Sequence, residues 1–259
     1  GRLFPYTTLF SSRQCPACEQ GLLMKKSEPA EYIDPFTGME FVRISGGRFM
    51  MGDSFGVGLE DEIPVHEVEL ADFYIAKYPV TQGQYISLVG DNPSKFQKGE
   101  SFPVEQVAWK DAALFIRKLK KANDNAFEFR LPTETEWEYA ARSGGKDEIY
   151  AGSQDPDPVA WYAENSRETT HPVGQRRPNG LGLYDMSGNV WEWCRDNYRE
   201  DAYQLHSAKN PVWLDDGPEH VIRGGSWNLD AWSVRCARRM RFSKTFFGAG
   251  LGFRLVREI

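Results

Sequence analysis

The sequence predicts a loop-rich α+β domain, and three observations support this fold class. Several short stretches alternate polar and apolar residues, which is typical of half-buried strands. Other stretches repeat apolar residues every three or four positions, which is typical of amphipathic helices. The 259 residues include 24 glycines and 15 prolines, and 14% are aromatic, a composition that favours long loops held by aromatic anchors. A chain of this length can form one large domain with a substantial core.

Four strands are predicted in the first third of the chain. Residues 39–44 and 65–70 alternate in polarity, residues 49–51 follow a Gly-Gly turn, and residues 73–75 continue the sheet. The acidic stretch from 53 to 62 is predicted to be a surface loop. Residues 1–37 show no such periodicity, so we interpret them as an N-terminal extension that precedes a single domain at residues 38–259.

Three helices are predicted. Thr81 can cap a helix that runs through Leu88. Residues 107–121 form the clearest amphipathic pattern, with lysines crowded into the last turn, where they suit the helix dipole. Thr133 and Glu136 form a Thr-x-x-Glu capping box that opens the third helix.

Composition narrows the possible function classes. The formal net charge of −6 argues against nucleic-acid binding, which needs a basic surface, and no apolar run approaches the length of a membrane span. Four cysteines do not make a disulfide scaffold in a chain this long, so reduced thiols and a cytoplasmic location are expected. Cys15 and Cys18 form a CxxC pair with no second pair at zinc-ribbon spacing, so zinc binding there needs ligands from elsewhere.

One stretch, residues 182–193, combines groups that regular secondary structure does not favour. Its sequence, GLYDMSGNVWEW, contains two carboxylates, two tryptophans and a Ser-Gly-Asn run that opposes helix. A tight loop with buried aromatic anchors and inward-pointing oxygens fits this mixture. Asp185, Glu192 and the intervening carbonyls then either hold a hard cation such as calcium or accept hydrogen bonds from backbone N–H groups. The spacing alone leaves both alternatives open.

Six motifs follow one another in a fixed order along the chain. They are GGRFMMG at 46–52, PVT at 79–81, LPTETEWE at 131–138, PNGLGLYDMSGNVWEW at 178–193, RGGSW at 223–227 and GFR at 252–254. Together they resemble the formylglycine-generating-enzyme (sulfatase-modifying-factor) superfamily from about residue 38 to the C-terminus. The resemblance implies a modified C-type-lectin-like fold with small twisted antiparallel sheets, two main helices and many loops. It does not by itself imply the enzyme activity.

The resemblance also implies a structural calcium ion in the loop at 182–193. The matching family positions bind calcium through the side chains of Asp185 and Glu192 and through the backbone carbonyls of Gly188 and Val190. Oxygen donors in an irregular loop suit the flexible coordination of this ion.

A second implication of the resemblance concerns copper. The family enzymes oxidise a cysteine of a client protein with a copper ion held by two cysteines. Here Leu229 occupies the first of those positions, and Val234, or Ala231 in an alternative alignment, occupies the second. Because paired thiolates are what select Cu(I), no copper is expected.

The segment that replaces the copper site, residues 228–247, is predicted to be a ligand-binding surface. Rigid aromatics and arginines are typical binding anchors, although any one of these aromatics can equally belong to the core. The same region binds targets in the lectin-like variable proteins of diversity-generating retroelements, which share the implied fold. The candidate ligand-binding residues are Leu229, Asp230, Trp232, Arg238, Arg241, Phe246 and Phe247.

Two functions are therefore considered. The first is a non-catalytic binding module that recognises a protein, or a small ligand, through the 228–247 surface. The alternative is a metal-dependent oxidase of the superfamily that acts on a protein or peptide, with a metal held by residues that the motifs do not reveal.

Overall fold

The computed structural model describes residues 29–259. Within this range the strands are, in chain order, β1 (Glu31–Ile33), β2 (Glu40–Ile44), β3 (Gly47–Met51), β4 (His66–Leu70), β5 (Phe73–Ala76), β6 (Phe129–Arg130), β7 (Trp191–Asn197), β8 (Glu219–Arg223), β9 (Arg239–Ser243), β10 (Leu251–Gly252) and β11 (Val256–Arg257). The four strands predicted from the alternating stretches are β2 to β5.

The strands form three small sheets. The largest has the order β1-β2-β5-β11-β6 and is antiparallel throughout. The second has the order β10-β7-β8-β9, and its β10–β7 pair is parallel, which departs from the expectation of purely antiparallel sheets. Strands β3 and β4 form a two-stranded sheet, and Glu69 of β4 makes an isolated bridge with Lys209. The short C-terminal segment that contains β10 and β11 thus contributes to both larger sheets.

The helices are α1 (Gln82–Val89), α2 (Trp109–Ala122), α3 (Glu134–Ala141) and the single turn α4 (Ala202–Leu205). The three predicted helices are confirmed, and so are the two predicted caps. The Thr81 side chain accepts a hydrogen bond from the third residue of α1. In α3 the Thr133 hydroxyl accepts from the Glu136 N–H at 3.1 Å, and the Glu136 carboxylate accepts from the Thr133 N–H at 2.8 Å.

Helix α3 is buried on every side, since all eight of its residues are buried. Two of its three carboxylates are neutralised by arginines from the second sheet, and Glu136 is paired with Arg130 of β6. Glu134 binds Arg223 and Arg239 at 2.7 Å each, and Glu138 binds Arg223 at 2.5 Å. Burial alone would raise the pKa of Glu134, but the two guanidinium groups lower it to about 2. These ion pairs attach α3 to β8 and β9.

The hydrophobic core has two main parts. One surrounds Trp137 of α3 and includes Phe49 of β3. The other lies under α1 and α2 and includes Phe115, Trp193 and Phe253. The two parts meet on β7 and β8, which are the strands that lead to the candidate site.

The folded domain begins before the predicted boundary at residue 38. Strand β1 pairs with β2, and Asp34 is buried and accepts a hydrogen bond from Asn123 at 2.7 Å. A strand of three residues is too short to give a recognisable alternating pattern, which explains its assignment to the extension. The CxxC pair lies outside the described residues. Among the described helices, none is long and apolar enough to cross a membrane.

Candidate functional site

The segment at 228–247 follows β8 in the chain, and the RGGSW turn at 223–227 connects the two. Gly224 and Gly225 both have positive φ angles, 97° and 73°. A Cβ atom on Gly225 would lie 2.5 Å from a methyl carbon of Val234, so only glycine permits this close approach. The segment continues as a 3₁₀ turn (Ala231–Val234) and then as β9. One side of the segment packs against the core through buried residues such as Val234 and Cys236. The other side faces solvent.

The outer side of this segment borders a cleft of about 310 Å³, which we call the first cleft. The stacked rings of Phe242 and Phe246 form part of its wall, with centroids 4.0 Å apart. Among residues 29–259, Arg238 is the one charged residue that lines it. The other lining side chains are apolar or small and polar, namely Trp191, Ser226, Asn228, Leu229, Ser233, Met240, Phe242, Phe246, Ala249 and Leu251. Such a mixture of apolar walls and few polar groups is typical of ligand sites.

Two further clefts adjoin the first one. The second cleft, of about 700 Å³, shares Arg238 and Met240 with it and is bordered by four acidic residues, Glu60, Asp61, Glu200 and Glu219. The third cleft, of about 400 Å³, shares Asn228 with the first and contains Phe96 and Trp227. We call the surface formed by these three clefts the groove face.

The structure brings some predicted ligand-binding residues together and separates others. Leu229, Arg238 and Phe246 line the first cleft, and Arg241 lines the second, where it forms an ion pair of 3.1 Å with Glu219. Asp230 is exposed, but its carboxylate accepts a hydrogen bond from the Ser233 N–H at 3.0 Å and so caps the 3₁₀ turn. Phe247 is exposed and lies outside both of these clefts.

Trp232 supports the segment and does not line either of these two clefts. Its indole N–H donates to the carbonyl oxygen of Val57 at 2.7 Å. The guanidinium groups of Arg235 and Arg238 each lie 4.7 Å from its ring centroid. Arg235 in turn forms a two-fold hydrogen bond with Glu62 at 2.9 and 3.0 Å. Glu62 is therefore buried, although the whole stretch from 53 to 62 was expected at the surface.

Several cleft residues lie outside the predicted set. Trp191, Met240 and Phe242 line the first cleft, and Tyr198 lines the second. Strand β9 was not recognised in the sequence, so the outward direction of Met240 could not be inferred. Trp191 was predicted only as a buried anchor, because nothing in the sequence places β7 beside the 228–247 segment.

The predicted calcium ligands lie where the loop enters β7. Asp185 accepts hydrogen bonds from the Gly174 N–H at 2.8 Å and from the Asn189 side chain at 3.2 Å. Burial raises the pKa of Asp185 to about 6, and this residue has no ion-pair partner within 4 Å among residues 29–259. A desolvated carboxylate without a cationic partner fits a hard cation.

Glu192, the other predicted calcium side chain, is already paired with an arginine. Arg254 donates to both of its carboxylate oxygens, at 2.6 and 2.7 Å, and the Trp137 indole donates to Oε2 at 2.6 Å. A carboxylate has about four acceptor positions, so one on Oε1 is left for a cation. The calcium ligand set stays a prediction, with Asp185 as its strongest member.

The cysteines of the described residues are buried. Cys194 and Cys236 are free thiols. Burial raises the pKa of Cys194 well above its ordinary value and that of Cys236 to about 12. Both thiols are therefore protonated at neutral pH and are poor metal ligands or nucleophiles. Among residues 29–259 there is no group of three or more His, Cys, Asp or Glu side chains arranged to hold a metal.

Comparison with known proteins identifies the class to which this fold and loop belong. The "Sulfatase-modifying factor enzyme 1-like domain" family matches residues 28–259, so the chain belongs to that family. It is 35% identical to "Chaperone protein LppX" of Paenibacillus barcinonensis, over 85% of this chain and 89% of that protein. It is 29% identical to "Formylglycine-generating enzyme" of Streptomyces coelicolor, over 90% and 93%.

A solved structure agrees with this assignment. "Treponema denticola variable protein 1" superposes with a TM-score of 0.80 at 27% identity and covers 90% of this chain and 100% of that one. The modified C-type-lectin-like fold predicted from the motifs is thus confirmed.

Proposed function

We propose that this chain is a non-catalytic binding module that recognises a protein ligand through the groove face. The observation that carries the proposal is the grouping of exposed apolar side chains around the first cleft. Met240, 36% exposed, and Phe246, 41% exposed, line this cleft, and the next residue after Phe246, Phe247, lies outside the cleft and is 61% exposed. Grouped exposed apolar residues beside a cleft are typical of interaction sites.

The groove face is also rigid enough to bind without a large ordering cost. Phe246 is held by its stack on Phe242, and the 3₁₀ turn is held by the Asp230 cap. Side chains that are fixed before binding lose less conformational entropy when a ligand arrives. The similarity to proteins named as a chaperone and as a variable protein supports a binding role.

The alternative function, a metal-dependent oxidase acting on a protein or peptide, is favoured by the 29% identity to a formylglycine-generating enzyme. The residues at the matching copper positions argue against it. Leu229 offers a hydrocarbon side chain to the first cleft, and Val234 is buried. Cys236, two residues after Val234, is held protonated by burial, which raises its pKa to about 12.

Site-specific cross-linking tests the proposed function. A photoreactive phenylalanine analogue is placed at Phe247, and the cross-linked protein is identified by mass spectrometry and purified. We expect the double variant Met240→Ala/Phe247→Ala to weaken its binding at least about tenfold in calorimetry, since central apolar anchors dominate interfaces.

The control variant, Leu205→Ala/Leu214→Ala, removes two exposed leucines that line none of the three clefts. The control should bind like the unmodified protein. Equal affinities for all three proteins would show that the groove face is not the binding surface.

A further inference from the structure

Resting on the proposed function, we infer that the partner segment in the first cleft carries an acidic side chain next to an apolar one. The apolar side chain fills the cleft, and Arg238 receives the carboxylate. This assigns a ligand chemistry to a residue whose guanidinium group makes no short hydrogen bond to a carboxylate among residues 29–259.

Among the described residues the charge of Arg238 is compensated only in part, by the Trp232 ring at 4.7 Å and by Glu62. Its side chain is only 12% exposed, and its Nε atom is buried without a hydrogen-bond partner among the described residues. Its Nη1 atom lies 3.7 Å from Glu62, which is beyond hydrogen-bond distance, and its Nη2 atom contacts the Met240 sulfur at 3.7 Å. Burial lowers the pKa of Arg238, in keeping with an under-neutralised cation.

The nearest carboxylate is already used elsewhere. Glu62 accepts both of its short hydrogen bonds from Arg235, at 2.9 and 3.0 Å. A guanidinium group has five donors in a fixed fork that matches a carboxylate, so Arg238 retains the capacity for a strong charge-assisted pair.

The position of Arg238 determines where the ligand carboxylate lies. The residue separates the first cleft, which has no other charged lining residue among those described, from the second cleft. The two further arginines of the second cleft are paired with glutamates, so its remaining charges are the acids Glu60, Asp61 and Glu200. These acids disfavour a second anion beyond Arg238. Because Arg238 itself lines the first cleft, an apolar side chain in that cleft and a carboxylate at Arg238 can come from neighbouring residues of one short segment in a turn conformation.

Titration with two blocked dipeptides tests this inference directly. The probes are acetyl-phenylalanyl-aspartate amide and its asparagine analogue, followed through the NMR amide signals of Gly248 and Ala249 beside the cleft. We expect the aspartate probe to bind at least about tenfold more tightly, since a hydrogen bond to a charged group outweighs a neutral one. Acetyl-phenylalanine with a free carboxylate is the third probe and represents a chain terminus.

Three variants complete the experiment. Arg238→Gln should abolish the preference for aspartate, Arg238→Lys should retain part of it, and Arg117→Gln, which removes an exposed arginine on α2, should leave it unchanged. A melting curve checks that each variant is folded. Equal binding of the aspartate and asparagine probes, or a preference shown only by the free terminus, overturns the inference.

Failure of this inference is distinguishable from failure of the proposed function. If the cross-linked partner binds Arg238→Gln as tightly as the unmodified protein, the groove face is a binding surface but Arg238 is not its anion site. If no partner depends on Met240 and Phe247, the proposed function fails whatever the dipeptides do.

Discussion

Arg254 supplies positive charge to Glu192, a carboxylate for which the sequence predicts a calcium ion as the partner. Its guanidinium group binds both carboxylate oxygens of Glu192, and all of these atoms are buried. The two residues are sixty-two positions apart, so the pair could not be inferred from spacing within the loop. The sequence therefore singled out both carboxylates of the loop but could not show that an arginine pairs with one of them.

Replacing Arg254 with methionine should destabilise the protein strongly. The substitution leaves Glu192 buried without its counter-ion, for which a loss of about 3–5 kcal/mol in the free energy of unfolding is expected. Urea unfolding measures the loss. The matched control is Arg241→Gln, which breaks an exposed pair and should cost less than about 1 kcal/mol. Similar losses for both variants would contradict this account.

Alanine substitution should change the stability of the protein little at Phe247 and strongly at Phe253. Phe247 is 61% exposed, so its loss should change stability by no more than about 0.5 kcal/mol. Phe253 is fully buried against Phe115, so its loss should cost about 3–5 kcal/mol. Thermal melts of both variants decide between a binding anchor and a core residue at 247. A large loss for Phe247→Ala would place that ring in the core.

At the scale of elements, helices and their caps were predictable because they depend on neighbours in sequence. Thr133 and Glu136 are three residues apart, and their reciprocal hydrogen bonds follow from that spacing. The burial of the whole of α3 was not predictable. Glu134 and Glu138 look like part of a solvated face until Arg223 and Arg239, far along the chain, are known to neutralise them. The groove face was likewise not predictable, because β7, β9 and residues 53–62 are distant in sequence and come together only in the folded protein.

The loop that precedes β7 should respond to calcium. We propose one ion held by Asp185, the carbonyls of Gly188 and Val190, and the remaining acceptor position of Glu192. At calcium a hundredfold above its dissociation constant, the free energy of unfolding should rise by about 2.7 kcal/mol. Melting in calcium and in chelator measures the difference, and Asp185→Asn should remove it. Identical melting temperatures for the unmodified protein would mean that hydrogen bonds and Arg254 alone hold the loop.

The same loop should give stability a distinctive pH dependence in chelator. The folded pKa of Asp185, about 6, lies above its ordinary value of 3.8, so the folded protein binds this proton more tightly than the unfolded chain. Stability should therefore fall as pH rises from 4 to above 6, relative to Asp185→Asn. Denaturant unfolding at pH 4.5 and 7.5 checks the sign. A difference between the two proteins that does not change with pH would show that Asp185 titrates normally.

At the scale of the whole molecule, the family fold is present while its thiol chemistry is not supported by the described cysteines. We expect no conversion of cysteine to formylglycine when the protein is incubated with Cu(I) and a cysteine-containing sulfatase peptide. Mass spectrometry detects the loss of the thiol and the gain of an aldehyde. The Streptomyces coelicolor relative serves as the positive control. Formation of the aldehyde by this protein would favour the oxidase alternative.

The seven residues from Leu251 to Arg257 also bear on how the chain reaches its native state. Strand β10 completes one edge of the four-stranded sheet, and β11 lies between β5 and β6 in the five-stranded sheet. A nascent chain that ends before these residues thus lacks β11, the strand with which β5 and β6 both pair. Sheets closed by such distant sequence partners form slowly, because the intervening chain must first be brought together. Synthesis on the ribosome therefore leaves β6 without a neighbouring strand until residues 256–257 have emerged. Removal of residues 251–257 would separate β6 from the five-stranded sheet and take an edge strand from the four-stranded one.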